Sequence, residues 1–368
     1  MEYSKKYYKI GCDYMEHGGD IYTDGILKGK KLLDFSSNIN PLGVPKSFID
    51  NIYEAVKLSD VYPDAEYREL KTNIRDYLNA DSIEEKNIIV GNGAAEIIDL
   101  SIGCFKSICI VVPSFIEYEK NSVKWGLDIK YSFLNENMDF DYKDIIKKLE
   151  DSEALIIGNP NNPNGRIIDK KNFKNILDYC ERYNKTIIID EAFVEFTGKT
   201  ENSFIDELKN YKCLFIVRAI TKFFGMPGVR FGYGISKNKL ILENIGSRQN
   251  PWNINCFAEM AAKYIFKDEE YIKNSLRWIS IEREIMLNQL NKIDIIDKTY
   301  KTYANFVLCH LKNITCDVLY KKCLDSGLVI RQCDNYRGLS KEYIRLAIKD
   351  RDKNNRAIKI LQGLKINS

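Results

Sequence analysis

The run T-I-I-I-D at 186–190 constrains this chain more than any other stretch. Four β-branched residues follow one another with no polar alternation, and a strand of that kind is buried on both faces. Strands buried on both faces belong to parallel sheets covered by helices. A carboxylate, Asp190, ends the run. Open α/β sheets gather ligands at the carboxyl ends of their strands, so Asp190 either meets a ligand or caps the next turn. Related runs recur at 88–92 (I-I-V-G-N), 108–112 (I-C-I-V-V), 154–158 (A-L-I-I-G) and 213–217 (C-L-F-I-V). Segments of helical period lie among them, at about 46–59, 66–79, 170–183 and 238–248. This pattern predicts an α/β fold with a mainly parallel sheet.

Past residue 254 the pattern changes. A long helix begins near 255 and is broken near 268–271, and strand-like runs follow at 305–311, 328–333 and 343–348. That suits a smaller α+β domain. At 368 residues the chain exceeds the usual size of one core. The expected division is 1–45, an N-terminal arm that also enters the small domain; 46–253, the large domain; and 254–368, the small C-terminal domain. Residues 1–33 read as an arm with little regular structure.

Thirty-two residues after Asp190 comes Lys222, in T-K-F-F-G-M-P-G-V-R-F-G-Y (221–233). A lysine that condenses with an aldehyde must shed its proton, and apolar neighbours lower its pKa by desolvation. Arg230 offers a planar fork suited to phosphate, and Gly225 and Gly228 let backbone approach a ligand. A carboxylate such as Asp190 can sit against a pyridinium nitrogen. Together these residues point to a covalently held, phosphorylated aldehyde, pyridoxal 5′-phosphate (PLP). The plainer alternative is a surface lysine and a loop arginine between two strands.

Other residues are candidates for the same site. Gly93, Ala94 and Ala95 open a helix whose N–H groups suit a phosphate. Their G-N-G-A-A string is neither a dinucleotide fingerprint nor a P-loop. Phe115 either stacks on a planar ring or belongs to the core. Asn162, in N-P-N-N-P-N-G, is a rigid amide at a strand end. Asn38 is either a turn former or a substrate ligand. His17, one of two histidines, precedes Gly18 and Gly19 and either meets an anion or lies on a surface loop. Tyr62 is held extended by Pro63. Arg331 and Arg345 each interrupt an apolar strand. A buried arginine without an anionic partner is costly, so each has either an internal carboxylate or the anion of a substrate.

Composition removes several classes. Lys+Arg at 55 nearly balances Asp+Glu at 52, so a nucleic-acid or acidic-membrane partner is not implied. The N-terminal arm lacks helix-turn-helix patterning. The ten cysteines form no C-x-x-C pair and many sit in apolar runs, as reduced thiols of a cytoplasm do; no metal site is expected. The first ten residues have no apolar signal core, and no apolar run approaches the ~20 residues of a membrane helix.

Tyr62, G-N-G-A-A, Phe115, Asn162, Asp190, Lys222 and Arg230, in that order, resemble the markers of the aspartate-aminotransferase-like, fold-type I PLP enzymes. The likeness covers roughly residues 17–348. It implies that Lys222 holds PLP covalently, Asp190 pairs with the pyridinium nitrogen, Asn162 bonds the phenolic oxygen and Phe115 stacks on the ring. Gly93, Ala94, Ala95, Thr221 and Arg230 would hold the phosphate. Tyr62 would reach the phosphate of a neighbouring subunit, in a homodimer with shared sites. His17, Gly18, Asn38, Asn162, Arg331 and Arg345 would hold the two anionic ends of a small phosphorylated amino acid.

Two branches compete. The strings H-G-G, Y-P-D-A-E-Y, D-E-A-F and Q-N-P-W-N-I-N resemble the L-threonine-O-3-phosphate decarboxylases of cobalamin synthesis. The alternative is the histidinol-phosphate aminotransferases, which usually carry tyrosine where Phe193 stands. One departure from the family is Ala219, where a hydroxyl residue often binds the cofactor phosphate.

Overall fold

The structure, a computed structural model, describes residues 18–364. His17 lies outside the described residues. The strands are β1 (Leu33–Asp34), β2 (Ile88–Gly91), β3 (Ser107–Val112), β4 (Asp128–Phe133), β5 (Ala154–Gly158), β6 (Thr186–Asp190), β7 (Leu214–Ala219), β8 (Gly232–Ser236), β9 (Ile296–Thr299), β10 (Phe306–Leu311), β11 (Leu328–Val329), β12 (Arg331–Gln332) and β13 (Tyr343–Ala347). Seven of them form one sheet in the order β2-β8-β7-β6-β5-β3-β4. All neighbours in it are parallel except β8, which runs against β2 and β7. A four-stranded antiparallel sheet, β12-β13-β10-β9, and the short parallel pair β1-β11 complete the strands.

The α/β expectation rests on strands such as β6, whose three isoleucines have no exposed surface. Burying an isoleucine is worth about 1.5–3 kcal/mol, so the run is held in register by its core contacts. The covering helices obey the same logic. In Lys170–Arg182, Phe173, Ile176, Leu177 and Cys180 fall on one stripe and join the core cluster of β5 and β6. Asp169 caps that helix by accepting from the Asn172 amide at 3.1 Å.

Two local expectations are corrected. The helix at 46–59 is two short ones, Lys46–Ile49 and Ile52–Lys57. Asn51 lies between them, and its amide donates to the Ser47 carbonyl at 2.9 Å, in competition with a continuous helix. Over its described residues the arm has little regular structure, only short helical turns and the two-residue β1. Asp20 accepts from the amides of Tyr22 and Thr23 and caps the helical turn Ile21–Asp24. The single strand at 328–333 is divided at Ile330. Its first half pairs with β1 and its second with β13, so Arg331 leaves the small parallel pair for the four-stranded sheet. No helix among the described residues is long and apolar enough to cross a membrane.

Candidate active site

The carboxyl ends of β2, β5, β6 and β7 meet at a cavity of about 250 Å³. Its sheet side is lined by Ala94, Ala95, Phe115, Asp190, Thr221, Lys222 and Arg230. Gly18, Asn38, Asn162, Arg331 and Arg345 line it from the arm, the loop after β5 and the antiparallel sheet. Residues up to 327 positions apart in sequence therefore share one pocket.

Asp190 ends β6 on the floor of the cavity and is buried. Tyr118 donates its hydroxyl to Asp190 Oδ2 at 2.7 Å, and the Ala192 amide donates to Oδ1 at 2.9 Å. Burial raises the carboxyl pKa, and these two hydrogen bonds oppose that rise. The next residue, Glu191, is fully buried and anchored. Arg218 on β7, the Ser203 hydroxyl and the Phe204 amide all donate to it, at 2.9, 2.8 and 2.7 Å. The end of β6 is thus fixed on both sides of the Asp190 side chain.

Lys222 follows β7. Burial pushes its ammonium down to about 8, helped by the positive charges of Arg345, Lys349 and Arg230 and opposed by Asp190. Its nitrogen lies 5.9 Å from the centre of the Phe193 ring. Arg230 sits at φ +58 and approaches the N-terminus of the helix Ala94–Ile102. Gly93 precedes that helix at φ +84, and a Cβ there would fall 2.4 Å from Arg230 Nη2. Only glycine lets the guanidinium lie beside the first helical N–H groups, which have no intrahelical acceptor.

On the opposite wall Arg331 of β12 and Arg345 of β13 are direct cross-strand partners, each 5% exposed. Like charges opposite one another are destabilising. Arg345 donates to neutral oxygens: Asn162 Oδ1, the Tyr336 hydroxyl at 3.3 Å and the Ser36 carbonyl at 2.8 Å. No carboxylate forms a salt bridge with Arg345 among the described residues, and its Nε is buried without a hydrogen-bond partner. Asn38 Oδ1 is likewise buried and unpartnered. Arg331 donates to Asn335 Oδ1 at 2.9 Å.

A model of the aminotransferase class I and II family matches residues 30–361. The chain belongs to that family. It is 42% identical over 95% of its length to a provisionally named threonine-phosphate decarboxylase of Caldanaerobacter subterraneus subsp. tengcongensis, covering 94% of that protein. It is 30% identical to the threonine-phosphate decarboxylase of Salmonella typhimurium, over 95% of this chain and 96% of that one. Among solved structures it resembles one described as the histidinol-phosphate aminotransferase from Clostridium acetobutylicum. That likeness has a TM-score of 0.87 at 53% identity and covers 89% of this chain and 98% of the other.

The cofactor of this class I/II member is PLP, and the cavity fits it. One end offers a helix N-terminus beside Arg230, the floor a buried carboxylate, and the middle a lysine whose proton is easily lost. Two residues singled out from the sequence stand elsewhere. Gly93 shapes the helix end without lining the cavity. Tyr62 is 78% exposed and packs on Trp252, ring centres 4.6 Å apart, away from the cavity of its own chain.

Sequence reasoning missed Tyr118, Tyr336, Lys349 and the pair Ser36–Ser37. The signal for Tyr118 was its closeness to Phe115: it lies in the first turn of the helix Glu117–Lys124, and the two rings meet edge to face with centres 5.8 Å apart. Ser36 and Ser37 are held by Asp34, which accepts from the Ser36 amide at 2.8 Å and from both hydroxyls. Lys349 donates to the Ser37 carbonyl at 2.8 Å and so braces the loop that carries Asn38. Nothing local to 349 or 336 announces these contacts.

Proposed function

We propose that this protein is a PLP-dependent carbon–carbon lyase that converts L-threonine O-3-phosphate to (R)-1-amino-2-propanol O-2-phosphate and CO₂. The observation that carries the reading is the pair of buried, directly opposed arginines. Among the described residues Arg345 meets only neutral oxygens and keeps an unsatisfied Nε, and with a second guanidinium directly opposite, the pair suits a guest with two anionic ends. Phosphothreonine has a carboxylate and a phosphate. The full-length likeness to proteins named threonine-phosphate decarboxylase supplies the reaction. Such a step serves the linker of the cobalamin nucleotide loop, as the family resemblance implies.

In this reading Lys222 and Asp190 are catalytic. Lys222, Asp190, Asn162, Phe115, Gly93, Ala94, Ala95, Thr221, Arg230 and Tyr62 form the cofactor site. Bound PLP supplies a sink for the electron pair released when the Cα–carboxylate bond breaks. Asp190, kept in place by Tyr118 and Ala192, balances positive charge on the pyridine nitrogen. Lys222, with its pKa lowered to about 8, would hold the cofactor and could carry the proton that replaces CO₂ at Cα. Arg331, Arg345, Asn38 and Asn162 fix the two anionic ends. By orienting the substrate they would decide whether carboxylate or proton is lost from Cα. A substrate without its phosphate loses rate as well as affinity, because remote binding energy orients the reacting bond. Ala219 offers no hydroxyl to the cofactor phosphate, and one hydrogen bond to a charged group is worth about 1.5–3 kcal/mol.

We further assign 46–253 to the cofactor-bearing domain, and 254–368 with part of 1–45 to the smaller one. The working unit is a homodimer in the cytoplasm. Tyr53, Val61, Tyr62 and Trp252 are exposed large side chains that a second copy would cover, and Tyr62 would then reach the phosphate end of the partner's site.

One observation favours histidinol-phosphate aminotransferase as a second reading, namely the name carried by the 53% identical structure. Histidinol phosphate has one anionic end, although the 2-oxoglutarate that accepts its amino group has two. Product analysis separates the readings. With phosphothreonine the expected outcome is CO₂ and the amino alcohol phosphate, with PLP recovered as PLP. Transamination of histidinol phosphate with 2-oxoglutarate, and no CO₂ from phosphothreonine, would overturn the decarboxylase. Phosphoserine belongs in the same assay, because one methyl in an apolar pocket is worth only about 1–3 kcal/mol.

A further inference from the structure

We propose that Tyr336 is the positioning residue that sets the two buried guanidinium groups, and that Arg337 latches it to the large sheet. The inference rests on the reading of Arg331 and Arg345 as anion ligands. Tyr336 is buried in the turn between β12 and β13. The Arg331 guanidinium lies over its ring, 5.2 Å from the centre. Its hydroxyl accepts from Arg345 Nη1 at 3.3 Å and lies 3.4 Å from Asn162 Oδ1. One side chain thus touches both arginines and the amide from the loop after β5. Two cations facing each other across a strand pair would otherwise turn apart. A ring face for one and a hydroxyl oxygen for the other hold them at a set spacing.

The turn itself is fastened. Arg337 forms a two-pronged ion pair with Glu119, Nε to Oε2 at 2.8 Å, and its guanidinium lies 4.3 Å from the centre of the Tyr131 ring. Glu119 stands on the helix Glu117–Lys124, which also carries Tyr118, the partner of Asp190. That short helix therefore ties the carboxylate side of the cavity to the arginine side.

The test is binding of inorganic phosphate to the PLP-loaded enzyme, followed by calorimetry, with cofactor retention measured alongside. Tyr336→Leu removes ring and hydroxyl and should raise the phosphate Kd roughly tenfold or more. Tyr336→Phe keeps the ring and the fold and should raise it roughly threefold. PLP affinity should fall clearly less than phosphate affinity in both, since Tyr336 reaches the cofactor site only through Asn162 and touches no residue of the phosphate end. With phosphothreonine, KM should rise in step with the phosphate Kd while kcat changes less. Unchanged phosphate Kd in both variants would overturn the assignment. An equal loss of PLP affinity would overturn it too, because the residue would then be holding the fold. Wild-type enzyme that binds phosphate but releases no CO₂ from phosphothreonine would sink the decarboxylase reading and leave Tyr336 in its role.

Discussion

Asp190 and Arg345 are both buried charges on the same cavity, and they are treated in opposite ways. Asp190 has a hydroxyl and an amide directed at its two oxygens, and the residue after it is tied down by a buried arginine. Arg345 faces a second arginine and keeps one N–H without a partner. The first is a finished environment, suited to a group that stays. The second is unfinished, and a charge left so is stable only when a guest supplies the missing anion. The contrast is what the proposed function requires of a wall that keeps a resident cofactor and one that receives a transient substrate.

The largest effect should come from the resident wall. Lys222→Ala removes the covalent hold and the mobile proton together, and turnover should fall roughly 10³-fold or more. The visible absorbance of the bound cofactor should shift as well. An unchanged spectrum would remove Lys222 from its role and with it the distinction between the two walls.

Arg345 offers the sharper break. Arg345→Met should lower kcat/KM for phosphothreonine about 30-fold or more, because the guest's anion loses a buried partner. The same variant should be more stable than wild type without substrate, by about 1 kcal/mol or more, since an unmatched buried cation is gone. Urea unfolding checks the sign. Tyr118→Phe should go the other way. It leaves an oxygen of Asp190 buried without a donor and should cost about 1–3 kcal/mol. If Arg345→Met proved destabilising and Tyr118→Phe neutral, the finished and unfinished walls would have been assigned the wrong way round.

The two walls also differed in how far the sequence disclosed them. Asp190, Lys222, Arg230 and the G-N-G-A-A turn stand in short strings whose chemistry is local. A carboxylate ends an apolar strand, a lysine sits among aromatics, and glycines open a helix. The wall of the transient guest is assembled by long-range pairing that leaves no local trace. β1 meets β11 across most of the chain, and this pairing places Ser36 under Arg345. The split at Ile330, which turns Arg331 toward Arg345, looks in the sequence like one uninterrupted strand. Likewise β8 was hidden because its glycines mask a strand pattern, although it is what places Arg230 beside the helix N-terminus.

A last effect concerns pH and the resident wall alone. The folded chain holds the Lys222 pKa at about 8, below its ordinary 10.5. Between those two values the unfolded chain keeps a proton that the folded chain has released. The unfolded state therefore binds more protons, and the stability of the cofactor-free protein should rise with pH across that window. Below pH 8 both states are protonated, and the cost of the buried ammonium is borne in full. Lys222→Met has no proton to release, so its stability should exceed that of wild type below pH 8 and the gap should narrow as pH climbs toward 10.5. Urea unfolding of the cofactor-free proteins at intervals from pH 7 to 10 measures this. A gap that stays constant or widens would show that the surroundings of Lys222 tolerate its charge. The lysine would then not be prepared to part with a proton.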